Sequence, residues 1–263
     1  MKVVLFCGGQ GMRLRDHSDQ LPKPMVTIGY RPVLWHLMKY YAHFGITDFV
    51  LCLGYQADAI KQYFLEYEEA ISNDFILAKG GTERTLLTRD IDDWTITFVD
   101  TGLNSNIGER LVRVREHVEG DEIFLANYAD GVTNLDLHAY LETFESRAQT
   151  AGFLAVRPPQ SYHVVTADDS DVATSIGPIA DAALWLNAGF FAFRPSIFDY
   201  IEPGEDLVFE PFQRMIAKRQ VYAHRFEGFW SPMDTFKDKR YLDDLYENGE
   251  APWVLWEDRN ARP

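Results

Sequence analysis

Positive charge is scarce in this sequence. Its 25 lysines and arginines face 40 aspartates and glutamates, for a net charge of −15. Such a surface repels nucleic acid and anionic membranes, so neither is an expected partner. Cysteine is nearly absent: there are two, Cys7 and Cys52, each inside an apolar run. No C-x-x-C pair occurs, and buried free thiols are the expectation. Long apolar runs are missing, none approaching the ~20 residues of a membrane span. The run Val3–Cys7 behind Lys2 is too short for a signal-peptide core. A cytoplasmic protein is therefore expected. The seven histidines show no H-x-x-x-H spacing, which argues against zinc. G-x-S-x-G and S-x-x-K are absent, and so are the dinucleotide fingerprint G-x-G-x-x-G and the P-loop.

What the chain does have is alternation. Val3–Cys7 reads as a fully buried strand. Pro32 to Phe44 reads as a helix stopped by Gly45, and Phe49–Leu53 as a second strand. Helical patterns over Asp58–Tyr67, Arg110–Val118 and Leu137–Arg147 alternate with strands at Thr95–Val99, Glu122–Ala126 and Phe153–Val156. This predicts a largely parallel sheet with helices on both faces. Beyond residue 156 the pattern shortens to strands at Val164–Ala167, Val172–Ile176 and Trp185–Phe193. A helix at Phe209–Arg219, a strand at Tyr222–Phe226 and a helix at Thr235–Asn248 follow. One domain over residues 1–263 is expected, with a nucleotide-binding half (1–156) and an acceptor-binding, β-rich C-terminal half (157–263).

After the first strand come Gly8, Gly9, Gln10, Gly11, Met12 and Arg13, then Lys23 between Pro22 and Pro24. The strand's carboxyl end is where open α/β sheets bind ligands. Glycines let backbone N–H groups approach a phosphate, Arg13 offers a bidentate fork, and Lys23 is a point charge on a stiffened backbone. These features together point to a phosphate site.

G-G-x-G-x-R-L followed by P-K-P-M resembles the signature of the sugar-1-phosphate nucleotidyltransferases. RPVLWHLMKYYAHFGITDFVLCLGY, FVDTG, GERLVRV, ADGVTNLDL, NAGFFAFRP and FWSPMDTFKDKRYLDDLYENGEAPW resemble the glucose-1-phosphate cytidylyltransferase branch. The likeness runs from residue 1 to about 256. It implies a Rossmann-like α/β fold with a mixed, mostly parallel sheet of the nucleotide-diphospho-sugar transferase type. The implied reaction condenses a nucleoside triphosphate, CTP in the closest branch, with a sugar 1-phosphate or related phosphorylated acceptor. The products would be a nucleotide-diphosphate sugar and pyrophosphate. Oligomers are common in the family, and the aromatic tail Trp253–Trp256 could pack on a neighbouring chain.

The resemblance also implies roles. Asp130 and Asp234 would hold one Mg²⁺, and Arg13, Lys23 and Asp130 would carry catalysis. Gly8 to Arg13, Lys23, Ser105, Arg110 and Ala129 would bind the nucleotide, and Asn187, Gly189 and Trp230 the acceptor. On residue type alone, Asp130 could instead form an Asx turn, Asp234 could cap the helix at Thr235, and Arg110 could be solvated.

Departures from the family pattern cluster at the acceptor end. The usual Glu-Lys-Pro, whose lysine meets the sugar phosphate, is replaced by the uncharged Thr174–Ile179. Tyr162–Val165 lacks the usual Phe-Gly, Ala129 replaces a glycine, and Met12 replaces a small residue. A different phosphorylated acceptor, compensation by Arg157 or Lys237, and a weakly active paralogue that binds nucleotide as a regulatory subunit all remain open at this point.

Overall fold

A computed structural model of the chain describes residues 1–9, 21–158 and 162–257. The strands in chain order are β1 (Val3–Phe6), β2 (Thr27–Ile28), β3 (Arg31–Pro32), β4 (Asp48–Leu53), β5 (Phe75–Ala78) and β6 (Glu83–Leu86). Next come β7 (Thr95–Asp100), β8 (Phe124–Tyr128), β9 (Gly131–Thr133), β10 (Ala151–Val156), β11 (His163–Ala167) and β12 (Ala173–Pro178). The last four are β13 (Leu186–Asn187), β14 (Phe191–Phe193), β15 (Val221–Phe226) and β16 (Trp230–Pro232).

Among the described residues, eight strands form one sheet. Strands β7, β4, β1 and β8 run parallel to their neighbours, and β14 is antiparallel to both β8 and β10. Two reversals bring β10 back to the direction of β1 and β8, and β15 lies parallel along its outer edge. All of these carboxyl ends except those of β13 and β14 therefore open on one rim. The sheet is largely parallel, as the alternation predicts, and mixed, as the resemblance implies.

Burial on both faces explains why β1 is an unbroken apolar run. Val3 and Leu5 enter the cluster beneath helices Val33–His43 and Leu137–Glu145, while Val4 and Phe6 enter the cluster on the opposite side. Alternate side chains of a strand point to opposite faces, so a sheet covered on both sides needs apolar residues at every position.

Two sequence expectations change. Trp185–Phe193 is not one strand. Gly189 and Phe190 both have positive φ (76° and 47°), and the chain bulges between β13 and β14, which share the same edge of β10. A Cβ at Gly189 would meet Asn127 Oδ1 at 2.4 Å, so both the turn and the close approach call for glycine. The expected helix Arg110–Val118 starts earlier, at Ile107, and breaks at Val114 into two short pieces. Within the tail Trp253–Trp256, the Trp253 side chain is fully buried against its own chain with Val26, Ile28 and Val33, while Trp256 is half-buried.

Candidate active site

The site is assembled by pairing between distant segments. Strands β9 and β16 form an antiparallel ladder with Gly131 opposite Pro232. The ladder continues through Met233 N–H, which donates to the Asp130 carbonyl at 2.7 Å. Asp130, just before β9, therefore lies beside Asp234, just after β16. The helix that follows is capped by Thr235, whose hydroxyl accepts from Asp238 N–H in a capping box. Thr235 thus takes the capping role that Asp234 might have filled, and the Asp234 carboxylate is left to face Asp130.

Lys23 lies between the two carboxylates. It opens a 3-10 turn, Lys23–Met25, entered from Pro22 in extended backbone. Its ammonium donates to Asp130 Oδ2 at 2.6 Å and also to Asp234 Oδ1. The lysine side chain is 14% exposed, against 31% and 40% for the two aspartates. Burial works to depress the lysine pKa, but the carboxylates outweigh it and hold the ammonium above its usual value.

These carboxylates border a cleft of about 190 Å³, also lined by Tyr128, Asn187 and Trp230. The buried Trp230 Nε1–H finds no acceptor among the described residues. Asn187 is exposed, and its Oδ1 accepts from Gly189 N–H at 2.9 Å. The buried amide is Asn127, which the sequence reading missed. Its Oδ1 accepts from Phe190 N–H at 3.0 Å and its Nδ2 donates to the Tyr41 hydroxyl at 3.3 Å. A polar residue in the apolar strand FLANY was the available signal, since a buried amide is kept only where its bonds are made. Gly189 is buried and shapes the turn beneath the cleft.

Gly8 and Gly9 leave β1 at the same rim. Gln10, Gly11, Met12 and Arg13 lie outside the described residues. Ser105 sits half-buried just before the helix at Ile107, and Ala129 is buried in the core.

Arg110 differs from expectation. It is 3% exposed, and its guanidinium donates to the carbonyls of Leu53 (3.0 Å) and Gly8 (3.1 Å) and to the Thr101 hydroxyl (2.7 Å). A Cβ on Gly8 would lie 2.1 Å from Arg110 Nη1. Arg110 thus holds Gly8 from behind, with both terminal nitrogens bonded to the protein and its pKa lowered by burial. Cys7 and Cys52 are buried free thiols, as expected. Burial pushes the Cys52 pKa up to about 12, which leaves no reactive thiolate there.

Of the two cations considered as substitutes at the acceptor end, Lys237 is exposed on the last helix. Arg157 donates to the carbonyls of Ala182 (2.9 Å) and Leu184 (3.4 Å). No described helix is long and apolar enough to cross a membrane.

Comparison with known proteins gives concordant matches. A family model described as Nucleotidyl transferase matches residues 2–248. A glucose-1-phosphate cytidylyltransferase of Salmonella typhi is 39% identical over 260 residues, covering 98% of this chain and 100% of that protein. A mannose-1-phosphate guanyltransferase of Pichia angusta is 27% identical over 257 residues, covering 93% of this chain and 63% of that protein. Among solved structures, HddC from Yersinia pseudotuberculosis superposes with a TM-score of 0.64 at 20% identity, covering 93% of this chain and 99% of that one.

Proposed function

We propose, for a chain that belongs to the nucleotidyl transferase family, that it transfers a cytidylyl group from CTP to a sugar 1-phosphate or related phosphorylated acceptor. The observation that carries the reading is the convergence of Lys23, Asp130 and Asp234, from positions 107 and 211 residues apart, on one cleft at the carboxyl rim of the sheet. The S. typhi relative supports CTP and a sugar 1-phosphate as the substrates.

The reaction needs no side-chain nucleophile. An oxygen of the acceptor phosphate attacks the α-phosphorus, the bond to the β-phosphate breaks, and pyrophosphate leaves with the bonding electrons. The attacking oxygen is already deprotonated, so no base is required. The obstacle is repulsion between two anions, and fixed positive charge is the remedy.

The carboxylates suit a hard divalent cation. They already share one positive charge, that of Lys23, and no third His, Cys, Asp or Glu joins them among the described residues. Mg²⁺ is commonly held by one or two carboxylates plus substrate phosphates and water, which fits that donor set. Asp130 and Asp234 would hold it, and when bound it supplies Lewis-acid neutralisation of phosphate oxygens. Lys23, whose ammonium stands at the same cleft, would supply fixed positive charge for the nucleotide phosphates. Arg13 adds its fork for the phosphate oxygens, and Arg110 holds the Gly8 carbonyl from below. Ser105 contributes at the nucleotide end. Asn187 and the unpaired Trp230 N–H orient the acceptor. The protein works in the cytoplasm, as an oligomer.

The test is pyrophosphate release from CTP and glucose 1-phosphate with and without Mg²⁺, repeated with the other nucleoside triphosphates. CTP- and Mg²⁺-dependent release supports the reading. Undiminished turnover in excess EDTA overturns the metal role, and nucleotide binding without pyrophosphate from any acceptor favours a regulatory subunit.

A further inference from the structure

The acceptor end of the cleft has lost its usual basic residue, yet two guanidinium groups stand nearby without a carboxylate. Arg157 Cζ lies 4.3 Å from the centre of the Trp185 ring, and Arg225 Cζ lies 5.4 Å from the same ring. Neither arginine makes an ion pair among the described residues. In a chain with 15 more acidic than basic residues, two like charges gathered on one indole and left unneutralised are out of keeping with the rest of the surface. Cation–π contact orients the groups but does not cancel their repulsion.

Register places them relative to the cleft. Asn187 and Arg225 are both opposite Ala155, one on each side of β10. Residues in register project to the same face, so the Arg225 side chain leaves the sheet on the side of Asn187, which lines the cleft. Trp185, two residues before Asn187, and Arg157, two after Ala155, continue that face. All of them sit at the carboxyl rim. Neighbouring strands are 4.7–4.9 Å apart, so Arg225 stands roughly 10 Å beyond Asn187 at the backbone, which its long side chain can partly span. The reacting phosphate belongs at Asp130 and Asp234, on the other side of Asn187. The arginines therefore lie about one sugar ring away from the chemistry, on the side away from the nucleotide.

We infer that Arg157 and Arg225 form a seat for a second anionic group, a carboxylate or a second phosphate, on the far side of the acceptor sugar. Arg157 is held by the carbonyls of Ala182 and Leu184 through Nη1, which leaves Nε and Nη2 for the ligand. Arg225 is exposed, so its guanidinium is open to a ligand. Guanidinium pairs recognise planar carboxylates and phosphates through paired N–H donors. This rests on the nucleotidyl-transfer reading and names the acceptor class for it.

The test compares glucose 1-phosphate, glucuronic acid 1-phosphate and glucose 1,6-bisphosphate as acceptors with CTP, by pyrophosphate release. At least one doubly anionic acceptor is expected to show a KM roughly tenfold or more below that of glucose 1-phosphate, and which of the two wins tells carboxylate from phosphate. Arg225→Gln is expected to remove that preference while leaving the KM for CTP and for glucose 1-phosphate unchanged, and Arg225→Lys to retain part of it. Arg157→Gln should act in the same direction. Because its loss also frees Ala182 and Leu184, the exposed Arg225 is the deciding variant. Equal KM values for all three acceptors, or an Arg225→Gln effect that falls equally on glucose 1-phosphate, overturns the seat. Should no acceptor release pyrophosphate, the transfer reading falls instead. Calorimetric titration of glucuronic acid 1-phosphate and glucose 1,6-bisphosphate into wild type and Arg225→Gln then still decides the seat: binding lost in the variant supports it, and equal binding overturns it.

Discussion

Replacing Lys23 by methionine keeps the aliphatic stem in its buried position and removes the charge between Asp130 and Asp234. Two charge-assisted hydrogen bonds disappear, and two carboxylates are left facing each other. A hydrogen bond to a charged group contributes about 1.5–3 kcal/mol when buried. Here the aspartates are 31% and 40% exposed, so solvent screening reduces the sum to about 1–2 kcal/mol. In a chain of this size that lowers the melting midpoint in metal-free buffer by about 2–4 °C. The sign of the pH dependence follows from the raised lysine pKa. The stabilisation is complete below the unfolded-state lysine value of about 10.4 and is lost only as pH rises through the folded one, so the gap between parent and variant is flat near neutrality. Magnesium ions distinguish this account from simple loss of packing. On the proposed metal role, Mg²⁺ would have to displace an ammonium in the parent, whereas in Lys23→Met it would meet bare carboxylates. Mg²⁺ therefore raises the variant's midpoint by more than the parent's, by mass action on the native state. Pyrophosphate release nevertheless drops about 10²–10³-fold, because the phosphates have lost a preorganised cation. Differential scanning fluorimetry over a Mg²⁺ series, beside the activity assay, reads both quantities. Equal Mg²⁺ shifts in the two proteins, or turnover within threefold of the parent, would refute the reasoning.

Asp130→Asn keeps the shape of the side chain but leaves one carboxylate for the cation. Pyrophosphate release is expected to drop at least about 100-fold, with the circular dichroism spectrum unchanged. Gly8→Ala drives a methyl group into Arg110, 2.1 Å from Nη1. Overpacking plus disturbance of a buried guanidinium should cost about 2–4 kcal/mol in urea denaturation, and Gly9→Ala, whose Cβ would meet nothing among the described residues, serves as the tolerated control. His36 is buried with its Nδ1 accepting from Trp253 Nε1–H (3.4 Å) and its Nε2 on the Ile28 carbonyl (3.1 Å), an arrangement that suits the neutral ring. Burial lowers its pKa to about 4. Stability should therefore be unaffected above about pH 6.5 and decline as the pH falls toward 4, by about 2 kcal/mol at pH 5. His36→Gln should flatten that acid limb in urea titrations.

Local signals in this chain told their physical story well, and pairings between distant segments did not. The β1 run announced a strand buried on both faces because every position had to be apolar. Lys23 between two prolines announced a fixed ammonium because proline sets its own φ and restrains the residue before it. The juxtaposition of Asp130 with Asp234 depends on the β9–β16 ladder, three residues on each side, which is too short to show a period of two. That pair was reached through resemblance and not through pattern. Exposure hid other elements in the same way. The hairpin of β5 and β6 carries Phe75, Ile76 and Leu77 outward and so lacks the alternation that marks a half-buried strand.

Arg110 shows the same limit at the level of a single side chain. An arginine at the start of a helix has no local feature that says whether its long arm will reach solvent, a phosphate or a carbonyl. What settled it was the slot opened by Gly8 and Gly54, where the absence of two β-carbons leaves room for a guanidinium among backbone acceptors. Read together, those glycines and that arginine are one device. The glycines were read as making room for phosphate above the loop, whereas Gly8 and Gly54 make room for a cation beneath it. The buried guanidinium holds the Gly8 carbonyl inward, at the point where the chain leaves the first strand. On this argument a neutral residue at position 110 would weaken nucleotide binding without having touched the nucleotide. Arg110→Met should raise the KM for CTP about tenfold or more through the loss of loop order, and Arg110→Lys, which cannot reach three acceptors at once, should rescue little of it.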